Sequence, residues 1–173
     1  MSMSDVEEIR DQLIADIEAA FRDVERGAGE TLREADGEGA GTEVQLRTAR
    51  AQETERTWSE IPDEVIDNHE AALSFVDPEG FRYYLPAFMR WALRHYKQSN
   101  RITVDAAIYA LYPGPGFFEW KMQRFQVFNE EQSKVICRFL RFMAEYTDGR
   151  ADDELAREAI EAYWGKFCDR VSR

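Results

Sequence analysis

The sequence predicts an all-α fold, an irregular single-domain bundle of about six helices. Two observations predict it. Apolar residues recur at three- and four-residue spacing in several separate stretches, and capping residues, prolines and glycines stand where those stretches begin and end. A length of 173 residues fits one domain over residues 1–173, and 44% hydrophobic residues suffice for a core. The best-packed region is expected over about 58–168.

The first helix is predicted from a capping box, Ser4 with Glu7, ahead of an apolar stripe. The stripe runs through Val6, Ile9, Leu13, Ile17, Phe21 and Val24. Gly27 and Gly29 are expected to end the helix. Residues 27–57 then read as a flexible, glycine-rich loop followed by an exposed, marginal helix, because residues 42–57 hold few large apolar side chains before Trp58.

The region after Trp58 carries clear boundary signals. Pro62 suits the first position of a helix, and Asp77-Pro78-Glu79-Gly80 matches a type I turn. Pro86 is expected in the first turn of the next helix, which buries residues such as Phe88 and Met89. Thr103 opens another helix, and the Pro-Gly-Pro-Gly run at 113–116 stops it.

The stretch 117–128 is ambiguous, since its apolar residues fit both strand alternation and helical spacing. A short helix is favoured because no strand partner is visible. Asn129 and Gln132 form a capping box for a strongly amphipathic helix. Gly149 breaks the chain, and a last apolar stripe runs from Leu155 to Phe167.

Composition restricts the function. The net charge of −12 disfavours nucleic acid and anionic membranes as partners. No apolar run approaches the ~20 residues of a membrane span, and no signal-peptide pattern is visible, which predicts a cytoplasmic protein. Cys137 and Cys168 are expected to be two buried free thiols. No cofactor, metal or catalytic motif is found.

The motifs of residues 58–143 resemble those of a family of bacterial proteins without an assigned function. The shared pattern begins with Trp-x-x-Ile-Pro at 58–62 and continues with Asp-x-Glu-Gly-Phe-Arg-x-Tyr-Leu-Pro-Ala at 77–87. It ends with a Phe, the Asn129–Gln132 cap and a Phe-Leu pair, here Phe139-Leu140. The resemblance supports a helical fold and implies no chemistry.

Arg82, Tyr83 and Tyr84 are the candidate ligand-binding residues. They are expected just before a helix N-terminus, where backbone amides favour anions, so a small carboxylate or phosphate is a conceivable ligand. The favoured interpretation is that Arg82 pairs with an acidic group of residues 1–80, which carry 22 acids and 7 bases, while the tyrosines pack. His69 is expected to be an exposed helical residue.

Two other surfaces are candidates for partner binding. Phe117, Phe118 and Trp120 follow the Pro-Gly-Pro-Gly turn and form a partner patch if they are exposed. Two basic helix faces carry Arg90, Arg94, Lys97 and Arg101, and Lys134, Arg138 and Arg141. The favoured reading of both faces is a solvated surface partly neutralised by the acidic first helix.

The leading hypothesis is a non-enzymatic protein–protein interaction module, with an unidentified protein partner or self-association. The alternative is an enzyme or sensor for a small anion, centred on Arg82 and Tyr84. Weak nucleic-acid binding through the basic faces ranks third. No cofactor and no metal site are expected.

Overall fold

A computed structural model describes residues 2–37, 42–99, 102–116 and 118–168, and these residues form helices and no strand. The prediction of an all-α fold is confirmed. The helices are α1 (Met3–Ala20), α2 (Leu32–Ala35), α3 (Glu43–Ala51), α4 (Asp63–Asn68), α5 (Pro78–His95), α6 (Ala106–Leu111), α7 (Phe118–Phe125), α8 (Glu130–Glu145) and α9 (Asp153–Ala162). Short 3₁₀ turns span Trp58–Glu60, Ala72–Ser74, Ile102–Val104 and Trp164–Phe167. None of these helices is long and apolar enough to cross a membrane.

Five of the helices close a ring around the core. In order around it, α1 packs on α5, α5 on α6, α6 on α9, α9 on α8, and α8 returns to α1. Aromatic side chains fill the interior, where Phe125 and Phe128 both pack against Trp164. The described residues form nine helices rather than about six, and α2, α4 and α6 have only four to six residues each. Of these three, α4 begins directly after Pro62 and α6 begins three residues after Thr103, close to the helix starts that the sequence predicts.

The central helix α5 begins eight residues earlier than expected. Asp77 is its N-cap, Pro78 its first residue, and the predicted type I turn is instead the first helical turn. Pro86 lies inside the helix, where it cannot donate the amide hydrogen bond that the carbonyl of Arg82 would otherwise receive. The expectation was wrong because Asp-Pro-x-Gly satisfies a turn and a helix N-terminus equally well.

The first helix also has different ends. Ser2 and Asp5 form the capping box, rather than Ser4 and Glu7, and α1 stops at Ala20. Two Ser-x-x-acid patterns overlap in this stretch, so the sequence alone does not select between them. Phe21 and Val24 remain buried although they lie beyond the helix.

The glycine-rich segment is better packed at its start than expected. Thr31 and Leu32 at α2 are fully buried, and Thr31 caps α2 reciprocally with Glu34. Helix α3 exposes its apolar residues, since Val44 is 71% exposed. Arg50 of α3 is 3.1 Å from the Glu34 carboxylate. The breaks predicted at Gly39 and Gly41 lie outside the described residues.

The backbone of the loop before α2 lies directly against the backbone of the first turn of α5. The Asp77 carboxylate accepts hydrogen bonds from the amides of Gly80, at 2.7 Å, and Glu30, at 3.0 Å. The Glu30 carboxylate accepts in return from the Asp77 amide at 3.2 Å. A Cβ on Gly80 would lie 2.4 Å from the carbonyl oxygen of Glu30. Only glycine therefore permits this approach.

Cys137 and Cys168 form a disulfide, so the prediction of two free thiols is wrong. Their Cα atoms are 5.5 Å apart, a separation typical of disulfides. The bond ties the end of the 3₁₀ turn Trp164–Phe167 to the middle of α8. Both cysteines were expected on apolar helix faces, and whether two such faces meet is decided by tertiary packing.

We expect Gly80→Ala to destabilise the protein by about 2–4 kcal/mol, measured by urea unfolding. Alanine is the better helix former by about 1 kcal/mol, but its Cβ would collide with backbone that cannot move aside. Gly116→Ala is the matched control because its Cβ would meet open space. Equal stability of the two variants would contradict the close contact between Gly80 and Glu30.

We expect Cys168→Ser to lower the free energy of unfolding by about 3–4 kcal/mol, because the disulfide closes a loop with a sequence separation of 31. Reduction of the wild-type protein is expected to have the same effect. Thiol titration of the denatured, unreduced protein checks the bond directly. Two titratable thiols in protein purified under oxidising conditions would rule it out.

Candidate functional site

Of the residues expected to bind a ligand, Tyr83 and Tyr84 lie in the core, and their rings meet edge to face at 5.0 Å. Burial raises the pKa of Tyr84, and the nearby carboxylate of Glu53 adds to the effect. The hydroxyl of Tyr84 is buried without a hydrogen-bond partner among the described residues. Arg82 is half-buried, and its Nε likewise lacks a partner there. The three residues therefore do not share one open cleft.

Next to these tyrosines, two carboxyl groups approach each other. The Glu53 side chain is only 3% exposed and lies 3.6 Å from Nε of Arg33. Burial and the contact with Glu55 raise the pKa of Glu53 to about 7. The negative charge of Glu55 disfavours a second charge beside it, which favours the protonated form of Glu53. The sequence carried no signal for this pair, since both glutamates lie in the stretch predicted as marginal helix.

Arg124 is a second buried polar centre that the sequence did not reveal. The side chain is fully buried and donates to the carbonyl oxygens of Leu73 and, at 2.9 Å, of Ser74. Its guanidinium stacks on Phe81 at 3.8 Å and on Trp120 at 4.5 Å. Burial lowers the pKa of Arg124 to about 9. Carbonyl dipoles and aromatic faces thus stabilise this charge, which joins α7 to the 3₁₀ turn ahead of α5.

An apolar groove opens on the surface beside that 3₁₀ turn. Its volume is about 310 Å³. The lining residues are Glu70, Ala71, Ser74, Phe75, Ile102, Ala106 and Tyr109. Phe75 is 65% exposed, Ile102 60% and Tyr109 43%, which is unusual for large apolar side chains that lie side by side. The groove is therefore an apolar hollow whose large side chains are open to solvent.

The predicted partner patch lies close to this groove. Phe118 is 55% exposed, while Trp120 is half-buried against Arg124. Since Arg124 also binds the carbonyl of Ser74, a groove residue, it connects Trp120 to the groove. Phe117 lies outside the described residues.

The basic helix faces meet carboxylates of α1. Lys97 is 3.0 Å from Glu7, and Arg138 is 2.5 Å from Asp16. Arg90 is buried, donates to the carbonyl of Ser59 at 2.8 Å and stacks on Trp58. These pairs agree with the favoured reading of neutralisation by α1. Arg101 lies outside the described residues.

His69 is buried rather than exposed, at 7%, and its Nδ1 bonds the carboxylate of Asp36. The expectation failed because Asp36 is distant in sequence. His95 bonds Asp63 at 3.0 Å. Within the described part of the chain, no group of three or more histidine, cysteine or acidic residues is placed to hold a metal ion.

The groove residues were missed because the sequence singled out motif-rich stretches. Phe75 and Ile102 stand alone beside cap residues and extend no helical stripe. One signal was available. Residues 63–80 and 102–116, which supply the groove lining, hold seven acids and no lysine or arginine. Such local bias indicates a surface of one sign.

We expect Glu53→Gln to flatten the pH dependence of stability. The folded-state pKa of Glu53 is raised, so its protonated form stabilises the fold fully below the unfolded pKa of about 4.5. That contribution, about 1–2 kcal/mol after screening, is lost as the pH rises through about 7. Urea unfolding at pH 5 and pH 8 measures the difference. Glu161→Gln, at an exposed position, is the control and is expected to keep the wild-type dependence. The same dependence in Glu53→Gln would contradict the raised pKa of Glu53.

Comparison with known proteins places the chain in a family. A family model described as a family of unknown function, DUF6714, matches residues 9–168. No curated protein and no solved structure matches the chain. The match covers nearly the whole sequence and includes every helix from α2 to α9, together with most of α1. The chain therefore belongs to DUF6714, a family of unknown function.

Proposed function

We propose that this protein is a protein–protein interaction module that binds its partner through the groove between the 3₁₀ turn Ala72–Ser74 and α6. The observation that carries the proposal is the cluster of Phe75, Ile102 and Tyr109, each more than 40% exposed. Exposed apolar side chains grouped in a hollow are typical of protein-binding sites. Removing them from water on binding supplies the driving force.

Contacts within the protein hold the two 3₁₀ turns beside the groove in place before any partner protein binds. Thr103 donates to the Asp67 carboxylate at 2.7 Å, which ties the 3₁₀ turn Ile102–Val104 to α4. Arg124 holds the opposite wall through Leu73 and Ser74. A preformed site loses little conformational entropy on binding, which favours affinity.

The other hypotheses receive less support from the geometry. The anion site now depends on Arg82 alone, because Tyr84 is fully buried beside the Glu53 carboxyl group. Nucleic-acid binding would need basic residues such as Lys97 and Arg138 to leave their carboxylate partners on α1. Exposing Tyr84 or breaking these ion pairs would cost free energy, whereas binding at the groove needs neither rearrangement.

The proposal is tested by photo-crosslinking in cells that contain the protein naturally. A benzoylphenylalanine placed at Phe75 is expected to capture a discrete partner, and the Ile102→Asp substitution is expected to abolish the capture. The same probe at Val44, which is 71% exposed on α3, is the matched control. Identical products from the two positions, or products that persist with Ile102→Asp, would refute the groove as the binding site.

A further inference from the structure

We infer that the occupant of the groove is a basic segment of a partner protein, with one large apolar side chain flanked by lysine or arginine. The inference rests on the proposed function and adds the chemistry of the partner. Two independent features support it, the size of the apolar hollow and the charge of its walls.

The hollow matches an anchoring side chain. Its volume of about 310 Å³ is at the lower limit of the range for small-molecule sites, roughly 300–1,000 Å³. Its lining combines the small residues Ala71 and Ala106 with the large side chains of Phe75, Ile102 and Tyr109. A single aromatic or branched aliphatic side chain inserted here would contact apolar atoms on several sides. Anchors of this kind supply most of the energy of peptide binding.

The one charged residue that lines the hollow is acidic, and the two segments that supply the lining are acidic in composition. Residues 63–80 and 102–116 contribute seven acids and no lysine or arginine. Glu70 lines the groove itself. Asp105, just before α6, accepts a hydrogen bond from the amide of Asp152, the N-cap of α9, at 2.8 Å. Burial raises the pKa of the Tyr109 hydroxyl, and both of these carboxylates lie close enough to add to the effect. Hydrogen bonds to neutral amides leave the net negative charge in place, and it attracts cationic side chains over about 10 Å.

The same charge disfavours other occupants. An anionic lipid surface or a nucleic acid would be repelled by the walls. Two copies meeting groove to groove would bring like charges together, in a chain whose net charge is −12. A neutral apolar peptide would fill the hollow but would leave the carboxylates at its rim without a counter-charge. A basic segment with an apolar anchor would fill the apolar hollow and would also pair with the carboxylates around it.

A display library of random twelve-residue peptides tests the inference on the full-length protein. Selection is followed by counter-selection on the double variant Phe75→Ser/Ile102→Ser, whose substituted residues are exposed and therefore of little weight for folding. We expect enriched peptides to combine one large apolar residue with two or more neighbouring lysines or arginines.

The affinity of a consensus peptide for charge-reversal variants then shows how much the acidic residue in the groove contributes to binding. We expect Glu70→Lys to weaken binding by about fivefold or more, because it reverses the charge nearest the anchor. Glu161→Lys makes the same charge change at an exposed position of α9 and is expected to weaken it by about twofold at most.

The possible outcomes are distinguishable. Enriched peptides that are neutral or acidic but still require Phe75 and Ile102 would overturn the inference and leave the proposed function standing. Equal weakening by Glu70→Lys and Glu161→Lys would also overturn it, since general attraction would then suffice. Peptides that bind the double variant as well as the wild type, or no enrichment at all, would count against both proposals.

Discussion

The carboxylate of Asp77 joins the start of the central helix α5 to the loop before α2. It caps the first turn of α5 through the amide of Gly80 and at the same time binds the amide of Glu30. Helix α5 is buried along most of its length and packs on α1, α4, α6 and α7, so its position sets theirs. The close passage of two backbones at Gly80 makes that position specific, because a side chain would force them apart.

Burial of α5 also explains the unusual chemistry around it. Polar side chains that reach a buried helix must find partners inside the protein or change their protonation. Arg124 keeps its charge by using carbonyl oxygens and aromatic rings, and its pKa falls to about 9. Burial and the nearby carboxylate of Glu55 instead raise the pKa of Glu53 to about 7. Arg124 and Glu53 both lie in the interior, whereas the proposed binding surface lies outside it.

The connection between the interior and that surface passes through Arg124. Its hydrogen bonds to Leu73 and Ser74 hold the 3₁₀ turn from which Phe75 projects, and its stacking holds Trp120. The apolar groove and the aromatic residues of α7 are thus organised by one buried cation. A partner that binds the groove meets a surface whose shape is set before binding, which limits the entropy lost on association.

The sequence predicted the helical class and the Asn129–Gln132 cap of α8, because caps and periodicity act within a few residues of the chain. It favoured a helix over residues 117–128 without excluding a strand, and the structure has α7 at Phe118–Phe125. The sequence also contained the motif around Asp77, but not whether that motif forms a turn or a helix start. Three features follow from the way the chain folds back on itself: the disulfide of Cys137 with Cys168, the burial of His69 against Asp36, and the contact of Glu53 with Glu55. Each of these, like the groove around Phe75 and Ile102, depends on which helix faces meet or on how the chain lies across another element. That choice follows from the packing of the whole chain, and local sequence does not encode it.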